Sequence, residues 1–300
     1  MLRKTGAVMR TRPKLSERMR GGEFLVSIQL DPPVSGNTYD FRAMVKPLVD
    51  AGATLFDINS SRRVSHDSIQ LAAELSRSDL DVIPHVTLRD SSISGIANQM
   101  LAAYAWSGVG SYLVISGDPH DEEKAVFPSR GIFQTHAAEA IKIFDEHLHK
   151  SGRAPDMEFA AAFNQSEEEF IAEVNRAKEK KAAGADFFMS QPVFDLEQAI
   201  GLRMLFAEVE APLIAGIWPL MDKKTIEKIR KNEIFGVELP ERVYKSATIL
   251  EDGNLEEWGI AKASNLIGEI KKNGLACGVY VVAPFKSPKL ILPLIREFCV

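Results

Sequence analysis

Cysteine is scarce in this chain. Cys277 and Cys299 are the only two in 300 residues, too few for a disulfide framework and at no metal-ligand spacing. Cys277 lies in an apolar run that predicts a buried thiol, and Cys299 stands next to the end of the sequence. A reducing cytoplasm fits that usage. No apolar run is long enough to span a bilayer. The first residues are basic but have no apolar stretch behind them, so they do not read as a secretory signal. An excess of positive charge is also missing: 36 Lys and Arg against 41 Asp and Glu give a net charge of -5, which argues against general nucleic-acid binding. No GxGxxG or Walker A loop occurs, no serine sits on a nucleophile elbow, and no internal repeat is visible.

What is present is an alternation of strands and helices. Val26-Ser27-Ile28-Gln29-Leu30-Asp31 places apolar and polar side chains on opposite faces of a strand, and Pro32-Pro33 ends it. The pattern predicts helices over Tyr39–Ala51, Asp67–Arg77, Ser92–Gly108, Phe133–Lys150, Ser166–Ala183 and Asp195–Glu208. Further helical segments fill Lys223–Gly274, with breaks near Pro240 and Gly253, and a last one runs over Leu290–Cys299. Strands fall between them at Ala53–Ser60, Asp81–Thr87, Ser111–Ser116, Met157–Phe163, Asp186–Gln191 (closed by Pro192), Pro212–Ile217 and Ala276–Val282. Eight strand–helix units predict an α/β protein, a single-domain (β/α)8 TIM barrel over residues 23–300; a doubly wound open sheet is the alternative. Residues 1–22, rich in Arg and Lys, read as a solvated arm or short helix leading into the barrel.

Polar residues collect at the strand ends, where such barrels keep their active sites. They are Gln29 and Asp31, Asp57 and Asn59, His85 and Thr87, Ser116 and Asp118, Asn164, and Gln191. The loop from Asp118 to Ser129 is long for its place, and long ordered loops are often functional. With one histidine and few lysines, this cup favours neither a metal site nor a Schiff base. His85 could equally be a hydrogen-bonded residue of the barrel mouth or a ligand contact. Carboxylates, amides and hydroxyls read the edge of a heterocycle well but are poor covalent catalysts, so the hard chemistry would belong to a bound cofactor.

The strand ends resemble those of the methylenetetrahydrofolate reductase family, in the style of its short bacterial forms. The resemblance runs from about Phe24 to Phe285. It rests on Ser27–Pro33, Pro84-His85-Val86-Thr87, Ser116-Gly117-Asp118-Pro119, Ala183-Gly184-Ala185 through Ser190-Gln191-Pro192-Val193-Phe194-Asp195, and Gly216-Ile217-Trp218-Pro219, in that order and spacing. It implies an oxidoreductase of one-carbon metabolism and methionine biosynthesis. FAD would be the cofactor, NADH or NADPH the electron donor, and a tetrahydrofolate derivative the substrate; the protein would act in the cytoplasm, most often as a homo-oligomer, with no metal, nucleic acid or membrane partner. Asp118 would sit beside flavin and folate, and Gln191 would read the folate. His85, Ser116, Gly117 and the strand end Asp57–Ser60 (with Asn59) would line the flavin, with Phe163 nearby. Arg176 and Lys180, one helical turn apart, would hold its nucleotide part; a solvated basic stripe is the other reading of that pair.

The family places a glutamate where this chain has Gln29, as the acid that assists opening of the methylene bridge. An amide cannot donate a proton at neutral pH. Asp31, two residues on and on the same face, could supply the proton. The enzyme could run slowly without it. Or the protein could bind flavin and folate with little turnover. The same site could also run in reverse, oxidising methyltetrahydrofolate. Ser116 likewise stands where the family carries an arginine.

Overall fold

A computed structural model describes residues 13–60, 64–117, 131–132, 134–165, 170–234, 236–284 and 287–299. Eight parallel strands close into a barrel in sequence order: β1 (Leu25–Leu30), β2 (Leu55–Ile58), β3 (Asp81–Thr87), β4 (Ser111–Ile115), β5 (Glu158–Phe163), β6 (Phe187–Val193), β7 (Leu213–Ile217) and β8 (Gly278–Val282). Strand β1 pairs with both β2 and β8, which seals the ring. The alternation in β1 acts as its pattern dictates: Val26, Ile28 and Leu30 pack into the outer layer between strands and helices, while the side chain of Ser27 bonds Asp57 across the interior. Leu25, Leu55, Ile83, Leu113, Ala160, Phe187, Met189, Ile214 and Tyr280 fill that interior.

The crossovers are α2 (Thr38–Asp50), α3 (Ser68–Ser76), α4 (Ile93–Ser107), α5 (Ala137–Phe144), α6 (Phe170–Ala182), α7 (Leu196–Phe206), α8 (Lys223–Arg230), α9 (Glu241–Thr248), α10 (Asp252–Asn273) and α11 (Leu292–Phe298). Asp67, Ser92 and Asp195, where the sequence pattern starts three helices, accept backbone N–H groups of the first turns, which satisfies donors that have no partner inside a helix. The break expected near Gly253 falls earlier, at Ile249–Glu251, because Gly253 is tolerated in the first turn of α10. Strand β6 does not stop at Pro192. A register shift between Met189 and Pro192 lets the strand run on to Val193, and such an irregularity is one of the few places a strand accepts proline. Cys277 precedes β8 and is only partly buried.

The basic leader contains α1 (Leu15–Arg20), whose Leu15, Ser16 and Met19 are buried. Leu15 and Met19 join the interior core and close the end of the barrel opposite the cup. The backbone N–H groups of Leu15 and Ser16 donate to the buried carboxylate of Glu158 at 2.8 and 3.0 Å, and the Ser111 hydroxyl donates to the same group at 2.6 Å. Arg18 reaches Asp81 at 2.7 Å. Bonds to Glu23 and Asp81 raise the Arg18 pKa against the opposing effect of burial.

Two glycines are fixed by close approach. A Cβ on Gly216 would lie 2.5 Å from the Tyr280 hydroxyl, so β7 leaves that space to the tyrosine ring. A Cβ on Gly259, in α10, would lie 2.2 Å from the carbonyl oxygen of Leu220. That neighbour is backbone and cannot swing away. Gly259→Ala should therefore destabilise the protein by ~1–3 kcal/mol, the usual range for overpacking, despite the better helix propensity of alanine. An unchanged denaturation midpoint in urea would show that α10 shifts without cost.

Candidate active site

The floor of the cup is a buried polar cluster. The Asp57 carboxylate is fully buried and accepts a 2.7 Å hydrogen bond from Ser27 Oγ on Oδ2. Its Oδ1 lies 3.4 Å from His85 Nε2. Neither of those two atoms has a hydrogen-bond partner. Strand register explains the grouping: Asp57 stands opposite Gln29 of β1 and Ile83 of β3, and His85 is two residues further along the same face of β3. Tyr280 closes the floor. Its hydroxyl donates to the Ser190 carbonyl at 2.8 Å, and burial pushes its pKa far up, with the Asp57 charge adding to the effect.

Above the floor lies a rim of shorter side chains. Asn59 Nδ2 donates to Asp31 at 2.8 Å. The hydroxyls of Ser60 and Thr87 meet at 3.3 Å. Gly117, just beyond β4, takes a φ of +82°, and a Cβ there would press on Thr87 and Arg89 at 3.2–3.3 Å. Glycine thus lets the end of β4 lie against that of β3. Ser116 is half-buried beside it. On the far side the Gln165 amide grips the backbone of Gln191, donating to its carbonyl at 2.8 Å and accepting its N–H at 3.0 Å. The Gln191 side chain, and that of Gln29, have no hydrogen-bond partner among the described residues, which leaves two amides for a ligand. Gly236 borders Gln191 Nε2 and Asn164 Nδ2, where a Cβ would come within 3.1–3.2 Å.

Three expectations change. Phe163 faces away from the cup: it is buried in the outer layer, with its ring edge-on to Phe206 at 5.1 Å between centroids. The alternation of β5 sends Phe163 outward and Ala162 inward. Arg176 and Lys180 are not one solvated stripe: Arg176 is exposed, but Lys180 is mostly buried. Both meet the buried Glu173, Arg176 Nε at 2.7 Å and Lys180 Nζ at 3.7 Å, and Lys180 also donates to the Ala162 carbonyl at 2.8 Å. Burial lowers the Lys180 pKa, with Glu173 opposing the shift. Asp57 is fully buried on the floor of the cup, beside His85 and not at the rim with Asn59 and Ser60. Asp118 and the loop to Ser129 lie outside the described residues.

Arg89 is the polar residue that sequence reasoning missed. It is buried, and its guanidinium forks onto Asp90 at 2.6–3.0 Å. Its place in the turn that follows β3, two residues beyond Thr87, was the available signal. Gln165, next to the strand-end Asn164, was the other. A separate cavity of about 370 Å³ opens outside the barrel, lined by Phe194, Asp195, Trp258, Lys262, Asn265 and Glu269 among others. It opens just past the end of β6, between the start of α7 and α10, and no residue of the cup lines it.

A closed parallel barrel with polar groups converging at the C-terminal ends of its strands defines a (β/α)8-barrel enzyme. Within that class the chain belongs to the methylenetetrahydrofolate reductase family, whose sequence profile matches residues 14–291. It is thus an oxidoreductase of the methylenetetrahydrofolate reductase type. Solved structures agree on the fold alone. A 2,3-dimethylmalate lyase of the PEP mutase/isocitrate lyase superfamily is 13% identical, with 94% of this chain and 84% of that chain covered and a TM-score of 0.54. The EDTA monooxygenase of Chelativorans sp. BNC1 is 11% identical, with 92% and 94% covered and a TM-score of 0.52. Among the described residues no helix is long and apolar enough to cross a membrane.

Proposed function

We propose that the protein reduces 5,10-methylenetetrahydrofolate to 5-methyltetrahydrofolate, with FAD held non-covalently in the cup and NADH or NADPH as electron donor. The observation that carries this reading is the pairing of a family match over residues 14–291 with side-chain amides at Gln29 and Gln191 that have no hydrogen-bond partner among the described residues. The donor set fits a flat heterocycle. Ser60, Thr87, His85, Ser116 and the Gly117 backbone offer hydrogen bonds along β2 to β4 and no competing nucleophile. Asn59 orients Asp31 at the same rim. Arg176, with 44% of its side chain exposed, is better placed for phosphates than Lys180 at 15%. The flavin would supply hydride transfer. The protein's own residues bind the pterin edge, Asp118 and Gln191 by hydrogen bonds, and orient it. We infer further that the protein acts in the cytoplasm as a homo-oligomer.

The amide at Gln29 favours one second reading, a folate- and flavin-binding protein with little turnover. Anaerobic product analysis separates the two. With NADH, FAD and methylenetetrahydrofolate, the first reading requires one methyltetrahydrofolate per NADH consumed; NADH left intact beside bound folate supports the second. Gln191→Leu keeps the size of the side chain and removes its amide. A typical net hydrogen bond is worth ~0.5–1.5 kcal/mol, so KM for the folate should rise up to about tenfold while flavin reduction by NADH stays the same. A loss in flavin reduction instead would place Gln191 on the flavin.

A further inference from the structure

The buried cluster under the cup meets a need that Gln29 cannot. We propose that His85, held from below by Asp57 and Ser27, is the proton donor of this site, an inference that rests on the folate reaction proposed above.

Asp57 is fully buried, and Ser27 satisfies one of its oxygens. The other oxygen and His85 Nε2 are both sealed from solvent, both unpartnered, and 3.4 Å apart. A buried polar atom without a partner costs roughly 1–3 kcal/mol, and more when charged. One proton on Nε2 and a slight approach remove both deficits. That proton fixes the orientation of the ring, because a histidine nitrogen that donates to a carboxylate leaves the other nitrogen for chemistry. The His85 side chain keeps 8% exposure, and Nε2 contributes essentially none of it. The remaining exposure therefore belongs to other atoms of the side chain, and Nδ1 makes no hydrogen bond among the described residues, which leaves it for a ligand.

The other groups around the ring do not fit the task. On β1, Gln29 is an amide. On β2, Asp57 is fully buried on the floor, and Asn59 holds Asp31 at the rim. On β8, Tyr280 spends its proton on Ser190. On β4, Leu113 stands opposite His85 and carries no proton to give. Ser68 of α3 bonds only the His85 carbonyl, at 2.7 Å.

The step balances within the substrate and the ring. The imidazolium gives the proton on Nδ1 to the substrate amine nitrogen as the bond from that nitrogen to the methylene carbon breaks. The bonding pair stays on the nitrogen. The positive charge leaves the ring and appears on the carbon–nitrogen iminium of the substrate. Asp57 offsets the imidazolium charge beforehand, and water at the exposed edge restores the proton afterwards. Asp57 and Ser27 are positioning residues.

The test has two arms. In the ligand-free protein, ¹⁵N NMR of labelled histidine should show the His85 proton on Nε2. Asp57→Asn, whose amide can donate in place of accepting, should move it to Nδ1. Should that variant fail to fold, Ser27→Ala loosens Asp57 without removing it and should blur the tautomer preference. In rapid kinetics, the folate half-reaction is followed apart from the reduction of FAD by NADH. His85→Gln should cost the folate half-reaction about tenfold, less than the ~10²–10⁴ of an ideally placed acid, and at saturating FAD it should slow that half-reaction far more than it slows reduction of FAD by NADH. Adding Gln29→Glu to His85→Gln should recover the rate. A His85→Gln enzyme that keeps the folate rate overturns this inference alone, as does one that loses only FAD affinity and is normal at saturating FAD. Wild-type protein that reduces no folate overturns the proposed function, and this inference with it.

Discussion

Gln29→Glu should speed the folate half-reaction by about 10²-fold, the low end of what a general acid contributes. Gln29 sits on the inner face of β1, between Asp57 of β2 and Val282 of β8. A carboxyl there has a buried carboxylate on one side and an apolar wall on the other. Both disfavour its charged form, so it would hold its proton to higher pH than a free glutamate. The gain falls short of the full range because His85 already serves the cup. Reduction of FAD by NADH should not change. Asp31→Asn separates the remaining candidate: a large loss in folate reduction alone would make Asp31 the donor instead of His85. A Gln29→Glu variant that slows flavin reduction would mean that this side chain faces the flavin or the nicotinamide.

Asp118→Asn should cut folate turnover by ~10–10²-fold, which corresponds to the ~1.5–3 kcal/mol of a hydrogen bond to a charged group. The substitution keeps the shape of the side chain but removes its charge and one acceptor. An aminopyrimidine edge presents two adjacent donors, which a carboxylate accepts together and an amide cannot. Oxidation of NADH with an artificial electron acceptor does not involve the pterin and should fall much less. Equal losses in both half-reactions would restrict Asp118 to the flavin or to structure.

Much of this was legible in the sequence because single-strand chemistry decides it. The period-two pattern of β1 fixed which side chains enter the barrel, and Asp67, Ser92 and Asp195 marked helix starts by their capping oxygens. The alternation of β5 also carried the information that turns Phe163 outward, but the family match outweighed it. Other features are matters of packing between distant segments. Nothing local to Leu15 or Met19 says that they plug the barrel, since that depends on Glu158 lying about 140 residues away to accept their helix's first N–H groups. The pairing of Asp57 with His85 needs the register of β2 on β3. Pro192 reads as a strand end until the register shift at Met189 makes room for it.

The central claim, a cup that takes a flavin and passes its electrons to a folate, is tested most directly by the visible spectrum of the pure protein through three additions. FAD should give a perturbed, protein-bound spectrum. NADH, added without oxygen, should bleach it. Methylenetetrahydrofolate should then restore it as methyltetrahydrofolate forms. A flavin spectrum identical to that of free FAD, with no thermal stabilisation of the protein, would contradict the claim and favour a folate site that uses the nicotinamide directly. A bleached spectrum that folate cannot restore would leave a flavin protein that does not reduce this substrate.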